Sequence, residues 1–205
     1  AVQARFPFAG ACSRDNILSY RTQYINGGKV KTSGVDFQAS LDVGDLFDGQ
    51  LTTGFDGTYL IQYDEDPYLI EGVPAPTRGT QERAGTYRAS IFTGYNRVRA
   101  NAYVNWASGI HNLRWQTRFI SSVNQTESNS IGLAIATKTT TKIPEYWQHD
   151  LTYRAELPWD TTLTATVQNI FDEEPPFAIG TQYNYDPSSA NPLGRVFAVA
   201  VKKRF

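Results

Sequence analysis

GRVFAVAVKKRF, residues 194–205, is the stretch that decides the fold. Phe197, Val199, Val201 and Phe205 fall on one face of an alternating run, and Ala198, Ala200, Lys202 and Arg204 fall on the other. A period of two is a strand, because successive side chains point to opposite sides of the backbone. One face is apolar and the other is small or basic. A water-soluble sheet buries such an apolar face under a second layer. A membrane barrel turns it to lipid and lines its lumen with the polar face.

Working outward, LTATVQ at 163–168 alternates in the same way and is followed by NIFDEEPPF at 169–177. Further upstream, 147–157, 113–119, 98–106, 51–63 and 35–43 each alternate apolar with polar residues, and 17–25 (ILSYRTQYI) reads as an additional strand. Asn26-Gly27-Gly28, the segment from Gly44-Asp45 to Asp48-Gly49, Ser108-Gly109 and Pro158-Trp159-Asp160 are turn signals. The stretches 64–96, 122–146 and 171–194 read as long irregular loops. Short and long connections therefore alternate along the chain. The expected sheet is antiparallel throughout, with consecutive strands adjacent and helix nearly absent.

Composition narrows the class. The chain has 205 residues, with 19 basic and 20 acidic side chains, and this balance argues against a nucleic-acid surface. Aromatics are abundant (12 Tyr, 11 Phe, 4 Trp) and methionine is absent, so the expectation is a chain processed or cut at its front. No apolar run is long enough for a spanning helix, but barrel strands need only about 9–11 residues of alternation. The lone Cys12 has no partner within the chain for a disulfide.

A β-sandwich with one solvated face also alternates, and a secreted sandwich binding carbohydrate through aromatic loops is the competing reading. It gives no reason for connections to alternate in length. Short turns at one rim and long loops at the other are the habit of outer-membrane barrels. Tyr59, Tyr63, Trp106, Trp147, Trp159 and Phe205 stand near strand ends, where interfacial girdles lie. A complete small barrel of eight strands is the alternative within the membrane class.

NIFDEEPPF at 169–177, YDPSSANPLGR at 185–195 and the terminal VFAVAVKKRF resemble the C-terminal signature of TonB-dependent outer-membrane receptors. The motif residues are Asn169, Ile170, Phe171, Asp172, Gly194, Arg195 and Phe205. NGGKVKTSGVDF at 26–37 and SGIHNLRWQTRFIS at 108–121 resemble other strands of the same family, and Lys203 departs from it by standing on the lipid-facing row. The resemblance implies that residues 1–205 are about the last eight strands of a barrel of about 22, with the plug and earlier strands absent. It implies a Gram-negative outer membrane and uptake of a siderophore, cobalamin, metal chelate or glycan. The implied partners are outer-membrane lipid, TonB through the absent N-terminal part, and the barrel assembly machinery through the last strand. No cofactor is expected.

Residues for solute contact are Arg97, Arg99 and Arg118, expected on the upper inward face, together with Trp147, Tyr183 and Tyr185. Arginines there suit an anionic chelate or pair with carboxylates of the lumen or plug. Enzyme readings find little support. His111 and His149 stand apart from any HExxH or Cys/His spacing, and no G-x-S-x-G elbow is present. Asp64-Glu65-Asp66 reads as a solvated loop rather than a cation site. No catalytic or metal residue is expected.

Overall fold

The computed structural model describes residues 28–70, 73–75 and 79–204. The strand expected at 17–25, Cys12 and Phe205 lie outside the described residues. The chain divides into two compact units, one of Thr32–Tyr63 and Arg83–Phe205, the other of Ala1–Lys31 and Asp64–Glu82.

The main sheet is built from seven long strands: β1 (Val30–Leu46), β2 (Gly49–Glu65), β8 (Val98–Ser108), β9 (His111–Ile120), β12 (Tyr146–Leu157), β13 (Thr161–Gln168) and β14 (Val196–Lys203). They pair in chain order, β1-β2-β8-β9-β12-β13-β14, and among the described residues β14 pairs only with β13. The pairings β2–β8, β8–β9, β9–β12, β12–β13 and β13–β14 are antiparallel, as alternation and short turns dictate. Phe47 and Asp48 join β1 to β2 with φ of +52° and +54°, the conformation that matches a two-residue hairpin to strand twist. Gly109, at φ +52°, opens the two-residue connection between β8 and β9. The turn thus lies at Phe47-Asp48, later than Gly44 suggests. Gly44 instead sits inside β1 at φ +94°, a conformation open to glycine without strain.

Register places the side chains. Phe197, Val199 and Val201 face Val167, Ala165 and Leu163, and on the next strand Leu151, Tyr153 and Ala155. The row continues through Trp115 and Leu113 to Val104 and Trp106, then to Thr53 and Leu51. Phe55 and Phe37 meet at 6.0 Å on this same face. It is bare: Val199 is 73% exposed, Leu41 62% and Phe55 50%. Val35, Phe37 and Val201 are exposed as well. Leu151, Tyr153 and Val167 are only half-buried, because bulky neighbours flank them within the sheet. None of these residues enters a two-layer core, which removes the sandwich.

The opposite face is a polar ladder. Thr58 donates to Asp36 at 2.6 Å, Asn101 to Asp56 at 3.0 Å, and Gln50 to Asp42 at 2.9 Å. Arg114 lies over the Tyr103 ring at 4.1 Å. Lys203 pairs across from Thr161 on the apolar row, at the short-turn end, where a lysine reaches the headgroups.

The expectation of irregular long loops is corrected. The first contains β3 (Tyr68–Ile70), β4 (Val73–Ala75), β5 (Gln81–Glu82), β6 (Thr86–Arg88) and β7 (Thr93–Gly94). The second contains β10 (Val123–Gln125), the ten-residue helix α1 (Ser128–Thr137) and β11 (Lys142–Ile143). β6 and β10 pair in parallel, Asn124 opposite Thr86 and Gln125 opposite Tyr87, so the pairing is not antiparallel throughout. This pair joins segments far apart in sequence, which local periodicity does not register. α1 has no acidic residue in its first turn and no side-chain cap. It is held from outside, through Ser130 and Ala134, one turn apart and both buried.

Candidate functional site

Because the strands are antiparallel and consecutive, all three long connections emerge at the rim opposite the short turns. Within the larger unit, residues 83–96 of the first connection build one body with the second and third. Its core is Tyr87, Val123, Ile143 and Ala178, drawn from all three loops. The parallel β6–β10 pair ties the first loop to the second. The Gln125 amide donates to the carbonyl of Ile179 at 2.6 Å and ties the second to the third. Ile120 and Tyr146, paired residues on the polar face at this rim, are both buried. The loop body therefore covers the polar face of the sheet at this rim.

Asp186 secures the third loop and was not singled out by the sequence. It is 3% exposed, and it accepts from the Ser188 amide at 2.8 Å, the Ser188 hydroxyl at 2.6 Å and the Ser189 hydroxyl at 2.6 Å. Ser188 in turn accepts from the Gly94 amide at 3.1 Å. A Cβ on Gly94 would stand 2.6 Å from the Asp186 carboxylate, so only glycine allows this approach. The Asp-Pro-Ser-Ser order at 186–189 does not reveal it, since a mid-loop Asp is ordinarily solvated.

The motif residues Asn169, Ile170, Asp172, Gly194 and Arg195 form a clip at the foot of the same loop. Asn169 is 3% exposed with φ +52°. Its amide side chain donates to the Glu173 carbonyl and accepts from the Glu173 amide, both at 2.9 Å. Its backbone donates to Asp150 at 2.8 Å, and Ile170 donates to the His149 carbonyl at 2.8 Å, so β12 carries the clip. The Asp172 carboxylate accepts from the Arg195 amide at 2.7 Å and holds the residue before β14. Gly194, at φ +64°, lies so close that a Cβ would meet that carboxylate at 2.6 Å. Phe171 is exposed beside His149 (5.2 Å) and Trp115 (5.9 Å).

The residues expected to contact solute are divided. Arg99 donates to Asn96 at 2.9 Å and to the Gly94 carbonyl at 3.3 Å, beneath the loop body. Arg118 stands exposed on the polar face opposite Asn101 and Gln148. Arg97 donates to the Ile61 carbonyl at 3.0 Å. Tyr183 and Tyr185 lie 6.1 Å apart in the third loop, and Tyr183 meets Phe92 of the first at 5.4 Å. Phe92 has φ +51°, a strained conformation for an aromatic residue, and nothing in its sequence context pointed to it. Trp147 does not join them. It lies on the apolar face, its ring tilted against Phe119 at 4.4 Å. Among the described residues, no three His, Cys, Asp or Glu side chains gather to hold a metal ion.

Tyr87 is fully buried, and its hydroxyl has no hydrogen-bond partner. Burial, reinforced by the nearby carboxylates of Asp186 and Glu127, pushes its ionisation well above the ordinary tyrosine range.

A sheet that is apolar and bare on one side, polar and cross-linked on the other, with short turns at one rim and a loop body at the other, is the wall of an outer-membrane β-barrel. Residues 3–170 match the family of TonB dependent receptor-like β-barrels, and the chain belongs to that family. It is an outer-membrane protein of a transport and receptor family, not an enzyme family. The match ends at Ile170, so Phe171, Asp172, Gly194, Arg195 and Phe205 lie beyond it. No curated protein and no solved structure matches the chain.

Proposed function

We propose that residues 1–205 form the C-terminal part of the barrel of a receptor that takes up a scarce solute, a siderophore, cobalamin, metal chelate or glycan, with energy transmitted through TonB. The observation that supports this reading is the loop body, a structured surface on the lumen side of the outer rim, built from three distant segments. Phe92, Tyr183 and Tyr185 supply ring contacts there, and Arg99 and Arg118 supply positive charge on the polar face below. A plug in the lumen would meet the carboxylates and amides of the polar ladder. The last strand would engage the barrel assembly machinery through its terminal aromatic residue.

The test is uptake of labelled solutes from each class by cells expressing the receptor, with and without TonB. Uptake of one class that requires TonB, and that falls on Tyr183→Ala or Phe92→Ala while the barrel still folds, supports the reading. Binding and uptake unaffected by both substitutions would remove these loops from the site.

A further inference from the structure

Three rings from two connections meet on the loop body. Phe92 and Tyr183 are tilted 45° to each other, and Tyr183 and Tyr185 48°. None of the three stands on a strand of the main sheet, and Tyr183 is 49% exposed. The backbone beneath them is fixed. Ala178 is fully buried and donates its amide to the Asn184 carbonyl at 2.8 Å. Buried Thr181 donates to the Ala178 carbonyl at 3.1 Å, so residues 178–184 form a closed turn, with Gln125 holding Ile179 from outside. Phe92 ends the short 3-10 helix Ala89–Ile91 in the left-handed conformation, a position that glycine or asparagine ordinarily takes. Strain of this kind persists where the surrounding structure over-determines it, and it collects at ligand clamps.

The two segments that carry the rings are polar but uncharged at their surface. Residues 89–96 (ASIFTGYN) contain no Asp, Glu, Lys, Arg or His. From Pro175 to Gly194 the only such residue is Asp186, which is buried and occupied by Ser188 and Ser189. Gln182, Tyr183, Asn184 and Asn191 are the polar side chains turned to water beside the rings in sequence. Amides and hydroxyls both donate and accept hydrogen bonds. An anionic chelate is bound through a guanidinium or ammonium, and neither segment supplies one. A cationic solute would gain from a carboxylate, and the one present is spent inside the loop.

We propose, resting on the uptake reading, that Phe92, Tyr183 and Tyr185 are the platform of a subsite for a neutral sugar, one unit of an uncharged glycan. A sugar ring has an apolar face of C–H groups and a rim of hydroxyls. The face lies on an aromatic ring, which is apolar in its body and, in tyrosine, polar at its tip. The rim hydroxyls, each donor and acceptor, match Gln182, Asn184 and the tyrosine hydroxyls. The closed turn under Tyr183 and the fixed backbone of Phe92 hold the platform before the solute arrives, which lowers the ordering cost of binding.

The experiment is calorimetric titration of the whole receptor in lipid nanodiscs with short neutral oligosaccharides of glucose, mannose, galactose and xylose, and with ferric citrate and cyanocobalamin as non-sugar probes. At least one oligosaccharide should bind, with an affinity that is the same at low and high salt, because no charge is screened. Tyr183→Ala should weaken it about tenfold, and Tyr183→Phe, which keeps the ring, should weaken it less. The position is exposed, and unchanged thermal unfolding of both variants confirms that the fold is kept. Binding of none of the oligosaccharides overturns the proposal, as does sugar binding that Tyr183→Ala leaves unchanged, or a non-sugar probe whose binding falls with Tyr183→Ala. Uptake of the same probes, with and without TonB, separates this subsite from the uptake reading. TonB-dependent uptake without sugar binding overturns the sugar subsite alone, whereas sugar binding without TonB-dependent uptake of any probe overturns the uptake reading and keeps the subsite.

Discussion

Gly194→Ala should destabilise the wall by displacing Asp172 from the last strand as well as by straining the backbone. Alanine at φ +64° costs about 1 kcal/mol or somewhat more. Its methyl would stand 2.6 Å from the Asp172 carboxylate, which must move and release the Arg195 amide it holds at 2.7 Å. A hydrogen bond to an ionised acceptor contributes about 1.5 kcal/mol, taken at the low end because Asp172 and Arg195 are exposed. The single substitution should therefore cost about 2.5 kcal/mol, and Asp172→Ala about 1.5. In the double variant the bond is lost once and only the backbone strain is added, giving about 2.5 rather than the summed 4. The cycle should show coupling of about 1.5 kcal/mol. Urea unfolding of the receptor reconstituted in phospholipid measures it, with urea-dependent loss of the compact gel form as a second readout. Additivity within about 0.5 kcal/mol would mean that the two residues act independently, and the clip would be refuted.

Val199→Arg, on the bare apolar row, should lower stability by about 2–4 kcal/mol if it lies near the bilayer midplane, whereas Ala200→Arg on the polar face should be tolerated; folded barrel in outer-membrane fractions separates them. Tyr87→Phe should be neutral or slightly stabilising at neutral pH, since the hydroxyl it removes has no partner. Burial raises the folded-state ionisation of Tyr87 above the ordinary value of 10.0, so its contribution is present below pH 10 and is lost as pH rises above it. Wild type should therefore lose stability above about pH 10 by a component that Tyr87→Phe lacks, read from alkaline unfolding curves. Gly94→Ala should free the third loop from the first by pushing on Asp186, seen as faster amide exchange at residues 183–190 with the main sheet unaffected.

The sequence by itself determined the main sheet. Strand alternation is a local property with a period of two, so 194–205, 147–157 and 98–106 each announced which side chains share a face. Two- and three-residue connections force antiparallel neighbours, so strand order followed as well. The motif at 169–172 with Gly194 and Arg195 was visible as a pattern, but its physical content was not. That Asp172 reaches across the loop to the Arg195 amide depends on two backbone turns with positive φ. Tertiary structure alone decided the loop body. The β6–β10 pairing, the burial of Asp186 and the ring contact of Phe92 with Tyr183 join residues between 38 and about 95 positions apart. α1 belongs there too, because its ten residues are helical through the partners that bury Ser130 and Ala134 rather than through any signal in SNSIGLAIAT. Contacts of that kind leave no periodicity in the chain, since each side is satisfied by a segment that local spacing cannot name.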